Sequence, residues 1–285
     1  MTPPNGPGTP FELLFSDVSA SQPSLPASFR DIYPGDWHMP DLDNRPYVFT
    51  NFATARDGRV SFAEPGISDG GTVTSYNAHD RWLMGLLRMR ADAVLNGDGT
   101  VNTEPDHTWT AEFICPDDAE AFAAQRKAEG YKPRPLLVIL SYNGRLDPNA
   151  ACLESKEVHL VIATTTAGKK HAQTLEANGA VDILDLGEHT ADLHRLVDIL
   201  YQEYGIRHLL CEGGPRVFAG MLDAGLVDEE FVTLCPTFIG RSPAKQRPSY
   251  TEGVAWQPDT APYSKPISLH RAGDFLFMRT RCQYR

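Results

Sequence analysis

The chain has 285 residues, 26 Lys and Arg against 37 Asp and Glu, and a formal net charge of −11. That length admits one or two domains with a substantial core, and the acidic balance without a Lys/Arg cluster excludes nucleic acid and an anionic membrane surface as partners. No apolar run approaches the roughly 20 residues that span a bilayer, and the opening MTPPNGPGTP carries neither the basic nor the apolar region of a secretory leader. The five cysteines form no C-x-x-C pair, so neither structural zinc nor any other metal is expected, and a reduced, cytoplasmic chain is the natural reading.

Residues 1–44 hold eight of the 22 prolines, too many for a helix or a central strand. Phe11, Leu13, Phe15, Ile32, Tyr33 and Trp37 are too apolar for a spacer. They predict an irregular extension wrapped onto the main domain or a partner subunit, with a free tail confined to the first ten residues. After Pro46 the run YVFTNFA (47–53) predicts a strand leading into an Asp57-Gly58 turn. The Trp82, Leu83, Leu86, Leu87 stripe predicts a helix over 76–89, and AVLNG (93–97) a strand. The stretch 101–134 predicts one helix, over 117–129. Strands then alternate with helices: PLLVILS (135–141), VHLVIAT (158–164), a helix over 169–178, VDILDL (181–186), a helix over 191–204, RHLLCE (207–212) and a helix over 216–224. FVTLCPTFIG (231–240) and FLFMRTR (275–281) read as strands, the last antiparallel. This alternation predicts one α/β domain over 45–285: a mostly parallel central sheet with helices on both faces and an antiparallel C-terminal strand.

Two glycine turns follow buried strands. In Asn96-Gly97-Asp98-Gly99-Thr100 the glycines let a ligand approach the backbone. In LLCEGGPRVFAGML (209–222), Gly213 and Gly214 precede Pro215 at a helix start, where free N–H groups and the positive helix end suit an anion. Each on its own reads equally as a tight turn without a ligand. Neither a P-loop nor a G-x-G-x-x-G fingerprint occurs. Together, at the carboxyl ends of strands, the turns mark a crevice for a dinucleotide.

The chain also resembles the reductase domain of riboflavin biosynthesis, which has a dihydrofolate-reductase-like fold. The resemblance is carried in order by RPYVFTNFATARDGRV (45–60), VTS (73–75), LLRMRADAVLNGDGTV (86–101), VIATT (161–165), HLLCEGGPRVFAGMLDAGLVDE (208–229) and PTFIG (236–240). It implies NADPH as cofactor and hydride reduction of the ribosyl C1′ of a phosphoribosylamino-pyrimidinone. Residue by residue, it implies Ala53 beside the nicotinamide. Thr74, Ser75, Asn96, Gly97, Asp98, Gly99 and Thr100 would line the groove, and Thr164 and Thr165 would lie at the adenosine end. Glu212, Gly213, Gly214 and Pro215 would lie at the pyrophosphate.

It further implies a catalytic carboxylate at Asp57 and a substrate phosphate on Arg88, with Asn51 and Glu104 at the rim. An Asp-Gly pair is equally good turn chemistry, Glu212 equally a cap on the turn's amides, and Arg88 equally a snorkelling helix residue. Two departures stand out. Arg56 occupies the place of an aliphatic residue and could bind a phosphate, and 101–132 replaces a shorter segment. A reductase of another pterin-like substrate, or a non-catalytic nucleotide-binding relative, is therefore the alternative. A homodimer is also implied, with Phe231 to Ile239 as an apolar pairing surface.

Overall fold

A computed structural model describes residues 2–17, 24–67 and 69–284. Ten strands form one sheet: β1 (Glu12–Ser16), β2 (Tyr47–Thr54), β3 (Ala93–Gly97), β4 (Leu136–Ser141), β5 (Leu160–Thr164), β6 (Val181–Asp185), β7 (His208–Cys211), β8 (Glu229–Leu234), β9 (Tyr263–Ala272) and β10 (Phe275–Gln283). Their order is β1-β9-β10-β8-β2-β7-β3-β4-β5-β6. From β8 to β6 all neighbours are parallel, and β10, β9 and β1 add an antiparallel edge.

The central strands are apolar on both faces, and their residues divide by parity between two cores. Val94, Leu137, Ile139, Leu160 and Ile162 pack with Trp82, Leu83, Leu86 and Leu87 of the helix Ala78–Met89. Leu95, Val138, Val161 and Ala163 pack with Leu196, Val197 and Leu200 of Leu193–Gln202, and with Phe218 and Met221 of Pro215–Asp223. The period of two thus places helices on opposite faces of a parallel sheet.

Several elements depart from the sequence reading for identifiable reasons. The strand expected over 231–240 stops at Leu234, two residues before Pro236, which has no N–H for a ladder. Of the apolar residues expected there as a pairing surface, Phe231 and Ile239 are buried and Phe238 is 74% exposed. The helix expected over 169–178 runs instead over Thr166–Ala172, because Thr165 caps it by accepting from the Gly168 N–H. The Asn96–Thr100 turn is a strand-to-helix junction, with Gly97 the last residue of β3 and Asp98–Thr103 helical.

Two strands escaped the reading altogether. β9 is polar and carries Pro266, which the sheet tolerates at a bulge opposite Arg279 and Thr280. β1 lies within the Pro-rich extension and pairs with β9 at the sheet edge.

The described part of the extension packs onto its own chain, and Asn5 and Gly6, within the expected free tail, are held. The Asp118 carboxylate accepts from the Asn5 and Gly6 N–H groups and from Trp82 Nε1 at 2.8 Å. Phe11 is enclosed edge-on by Tyr33, His79 and Phe277. The guanidinium of Arg90 lies 5.0 Å from the ring centre of the buried Trp37.

Candidate active site

At the carboxyl ends of β2, β3 and β7 a cavity of about 910 Å³ opens, large enough for two bound molecules. β2 contributes Asn51 and Ala53, β3 contributes Asn96 and Gly97, and the segment after β7 contributes Glu212, Gly214 and Pro215. Asp98, Gly99, Thr100, Thr74, Arg88 and Glu104 also line it. Five carboxylates (Asp80, Asp98, Glu104, Glu212, Glu252) face five cations, and each cation is an arginine: Arg81, Arg88, Arg216, Arg241 and Arg247. The site is therefore balanced within a strongly acidic chain.

The glycine junction is built by close packing. A Cβ on Gly213 would stand 2.6 Å from the Asn96 Cα, so only glycine lets these two chain segments meet. Gly213 is thus enclosed beneath the cavity rather than in its lining. Gly214 has φ 25° and gives its N–H to Thr100 Oγ1 at 3.2 Å, which joins the two turns. No side chain caps the helix Pro215–Asp223 that follows. Asn96 is wholly buried, and both its amide nitrogen and its amide oxygen lack a partner. Buried amides left without partners inside a cavity are groups that a ligand satisfies.

Arg88 does not face the cavity as a free cation. It is 2% exposed, and its Nε and Nη2 grip Glu212 at 2.7–3.1 Å in a bidentate pair. Its Nη1 lies 2.8 Å from His107 Nε2. A guanidinium only donates, so Nε2 accepts, and the ring proton sits on Nδ1, 3.3 Å from Glu104 Oε2. Burial, and secondly Arg88, holds His107 below the usual histidine pKa. The ring packs on Trp109 and Phe113 with centroids 4.9 and 4.4 Å away. Trp109, itself buried, has φ 51°, a backbone conformation that a bulky residue keeps only under constraint.

Asp80, on the first turn of Ala78–Met89, faces the same space. Its Oδ1 accepts from Thr233 Oγ1 of β8 at 2.6 Å. Burial and the nearby Glu212 charge push its pKa up to about 6, against the opposing pull of Thr233 and Arg88.

Several residues expected at the site lie elsewhere. Asp57 is exposed outside the cavity and accepts from the Gly240 and Ile239 N–H groups at 2.6 and 3.3 Å. Slight burial raises its pKa, but these backbone donors outweigh that and hold it below the ordinary carboxylate range. There it ties a turn to a loop, the turn role that its Asp-Gly pair equally suited. Arg56 is exposed and also outside the cavity lining. Ser75 is exposed at φ 53°. Thr165 spends its hydroxyl on Tyr142 O and the Gly168 N–H, and Thr164 is fully enclosed beside it.

The sequence reading missed Asp80, His107, Trp109, Arg241 and Arg247. Asp80 reads as an ordinary acidic helix start, and the others sit in segments without periodicity. The one available signal was aromatic: Trp109 and Phe113 are apolar residues in an otherwise polar insertion.

The RibD C-terminal domain family matches residues 46–257. The chain is 26% identical over 212 residues to the 2,5-diamino-6-ribosylamino-4(3H)-pyrimidinone 5′-phosphate reductase of Archaeoglobus fulgidus, covering 74% of this chain and 89% of that one. The reductase of the same name from Methanothermobacter thermautotrophicus is 26% identical over 202 residues, 70% of this chain and 82% of that one. Among solved structures, a pyrimidine reductase-like protein of Corynebacterium diphtheriae superposes with a TM-score of 0.66 at 19% identity, covering 84% of this chain and 93% of that one. RibD of Acinetobacter baumannii gives 0.63 at 21% identity, over 84% of this chain. Against that RibD, this chain spans 58% of the length. These structures share the fold: an α/β sheet, mostly parallel, with an antiparallel edge.

Proposed function

Since the chain belongs to the RibD C-terminal domain family, we propose that it is an NADPH-dependent reductase acting on a phosphoribosylamino-pyrimidinone and converting its ribosyl group to a ribityl group. The observation that carries the cofactor half is the junction of the two glycine turns. Asn96 offers an unpartnered buried amide there, and the helix Pro215–Asp223 begins without a side-chain cap. These residues fit a dinucleotide: Ala53 and Asn96 would flank the nicotinamide, and the Gly214–Arg216 backbone would take the pyrophosphate. The bound cofactor supplies the hydride; the protein orients the acceptor and excludes water.

NADPH differs from NADH by one phosphate, which needs a cation. With Arg88 held by Glu212, Arg81 bonded to Ile114 O, and Arg247 bonded to Phe62 O, Ile239 O and Glu64, the phosphates of cofactor and substrate fall to the exposed Arg216 and Arg241. Trp109 and Phe113 provide apolar surface for a flat heterocycle. The resemblance to the riboflavin reductases supports a homodimer. The five free cysteines support a reducing compartment such as the cytoplasm.

The test is direct. Purified protein mixed with NADPH and the phosphoribosylamino-pyrimidinone is expected to consume the dihydronicotinamide absorbance and release the ribitylamino compound. Turnover of dihydrofolate, with none of the pyrimidinone, would move the substrate to a pterin. No change in NADPH fluorescence on mixing with protein would remove the cofactor.

A further inference from the structure

The reaction proposed above consumes a proton as well as a hydride. Hydride adds its two electrons to C1′ while the C1′–N bond is kept, so the C1′–O4′ bond must break. The electron pair of that bond goes to O4′, which leaves as a hydroxyl once it has taken a proton. The dihydronicotinamide is oxidised and C1′ is reduced. Something in the cavity has to deliver the proton.

We infer that Asp80 is the proton donor to the ring oxygen, with Thr233 fixing which of its oxygens carries the proton. The inference rests on the reductase reading and on three observations. Asp80 lines the cavity while being 5% exposed. Its Oδ1 is committed as acceptor to Thr233 Oγ1 at 2.6 Å, and among the described residues Oδ2 accepts no hydrogen bond, so the acid proton sits on Oδ2. The other acidic or imidazole groups of the cavity are more exposed or already engaged. Asp98 also accepts a single hydroxyl bond, from Ser141 Oγ at 2.6 Å, but is only half-buried where Asp80 is enclosed, and Glu212 is gripped by Arg88. Both nitrogens of His107 are engaged, by Arg88 and by Glu104. Glu252 accepts from the Ser249 hydroxyl and backbone N–H, which hold its pKa down.

The electrostatics agree with this assignment. Asp80 is faced by Glu212 beyond β7, by Arg88 two turns along its own helix, and by Cys235 beyond β8. Burial and Glu212 favour the neutral acid; Thr233, Arg88 and the helix start favour the anion. The balance near 6 gives a group that holds its proton in mild acid and still releases it.

Asp80→Asn keeps the shape and the bond to Thr233 but has no acidic proton. Its kcat is expected to fall about 100-fold or more, with NADPH affinity by fluorescence titration within twofold of wild type. Wild-type kcat is expected to decline as pH rises through about 6, a limb absent from Asp80→Asn. Thr233→Val, which removes a bond favouring the anion, should move that limb to higher pH. Independently of turnover, infrared difference spectra of the ligand-free protein, wild type minus Asp80→Asn, should show a protonated carboxyl band that bleaches over the same range. Retention of the wild-type rate and pH profile by Asp80→Asn overturns the assignment, as does absence of that band. A wild-type chain that binds NADPH but turns over no pyrimidinone overturns the reductase reading first, and the assignment with it.

Discussion

The cavity has two walls of unlike construction. One is made of β2, β3, the end of β7 and the helix Ala78–Met89. Apart from the unpartnered Asn96 amide, its polar groups answer one another: Arg88 holds Glu212 and Thr233 holds Asp80, while Gly213 packs on Asn96 at a distance no side chain would permit. The other comes from 103–114 and 241–252, segments that are mainly irregular. There Arg241 is exposed, Trp109 keeps a left-handed backbone, and aromatic rings stack on a histidine. The first wall has little freedom to change without unfolding the sheet. The second anchors Trp109 in the core but also projects side chains, such as Phe113 and Arg241, that the core does not require. Chemistry common to a family belongs on the first wall, and discrimination among substrates on the second.

This contrast is open to direct attack. Glu212→Gln would leave the Arg88 guanidinium buried without its counter-charge, a loss of about 3–5 kcal/mol in urea unfolding. A change under about 1 kcal/mol would show that the first wall is looser than its geometry. Phe11→Ala, which opens the aromatic cluster behind the same helix, should cost about 3 kcal/mol. It should also lower kcat, because that cluster sets the position of His79, next to Asp80. At the other wall, Arg241→Ala should raise KM about tenfold, for NADPH or for the pyrimidinone according to which phosphate it meets. Its stability should stay within about 0.5 kcal/mol of wild type. A large stability loss there, with KM unchanged, would erase the distinction.

The same contrast governs what the sequence could disclose. Parallel strands, the Trp82–Leu87 stripe and both glycine turns were legible because each is written in a few adjacent residues. The pairing of β1 with β9 was not, since Glu12 meets Arg271 across 259 positions and neither strand alternates cleanly. At Asp57 a turn-forming Asp-Gly and a catalytic carboxylate share the same letters, and the bond from the Gly240 N–H, 2.6 Å away, is visible only in the fold. Arg88 lines the cavity, yet its partner could not be read: the Arg88–Glu212 pair joins residues 124 positions apart.

The antiparallel edge has a consequence for how the molecule is made. β1 is synthesised well before its partner β9, since Arg271 follows Glu12 by 259 positions. Phe11 likewise waits for Phe277. Until the final strands emerge, the parallel sheet can assemble only with its β8 edge unpaired and the aromatic strap unseated. Until β9 and β10 are made, the nascent chain therefore carries the unpaired β1 and an unfinished sheet. The sheet is complete once β10 lies on β8 and β9 folds back to receive β1.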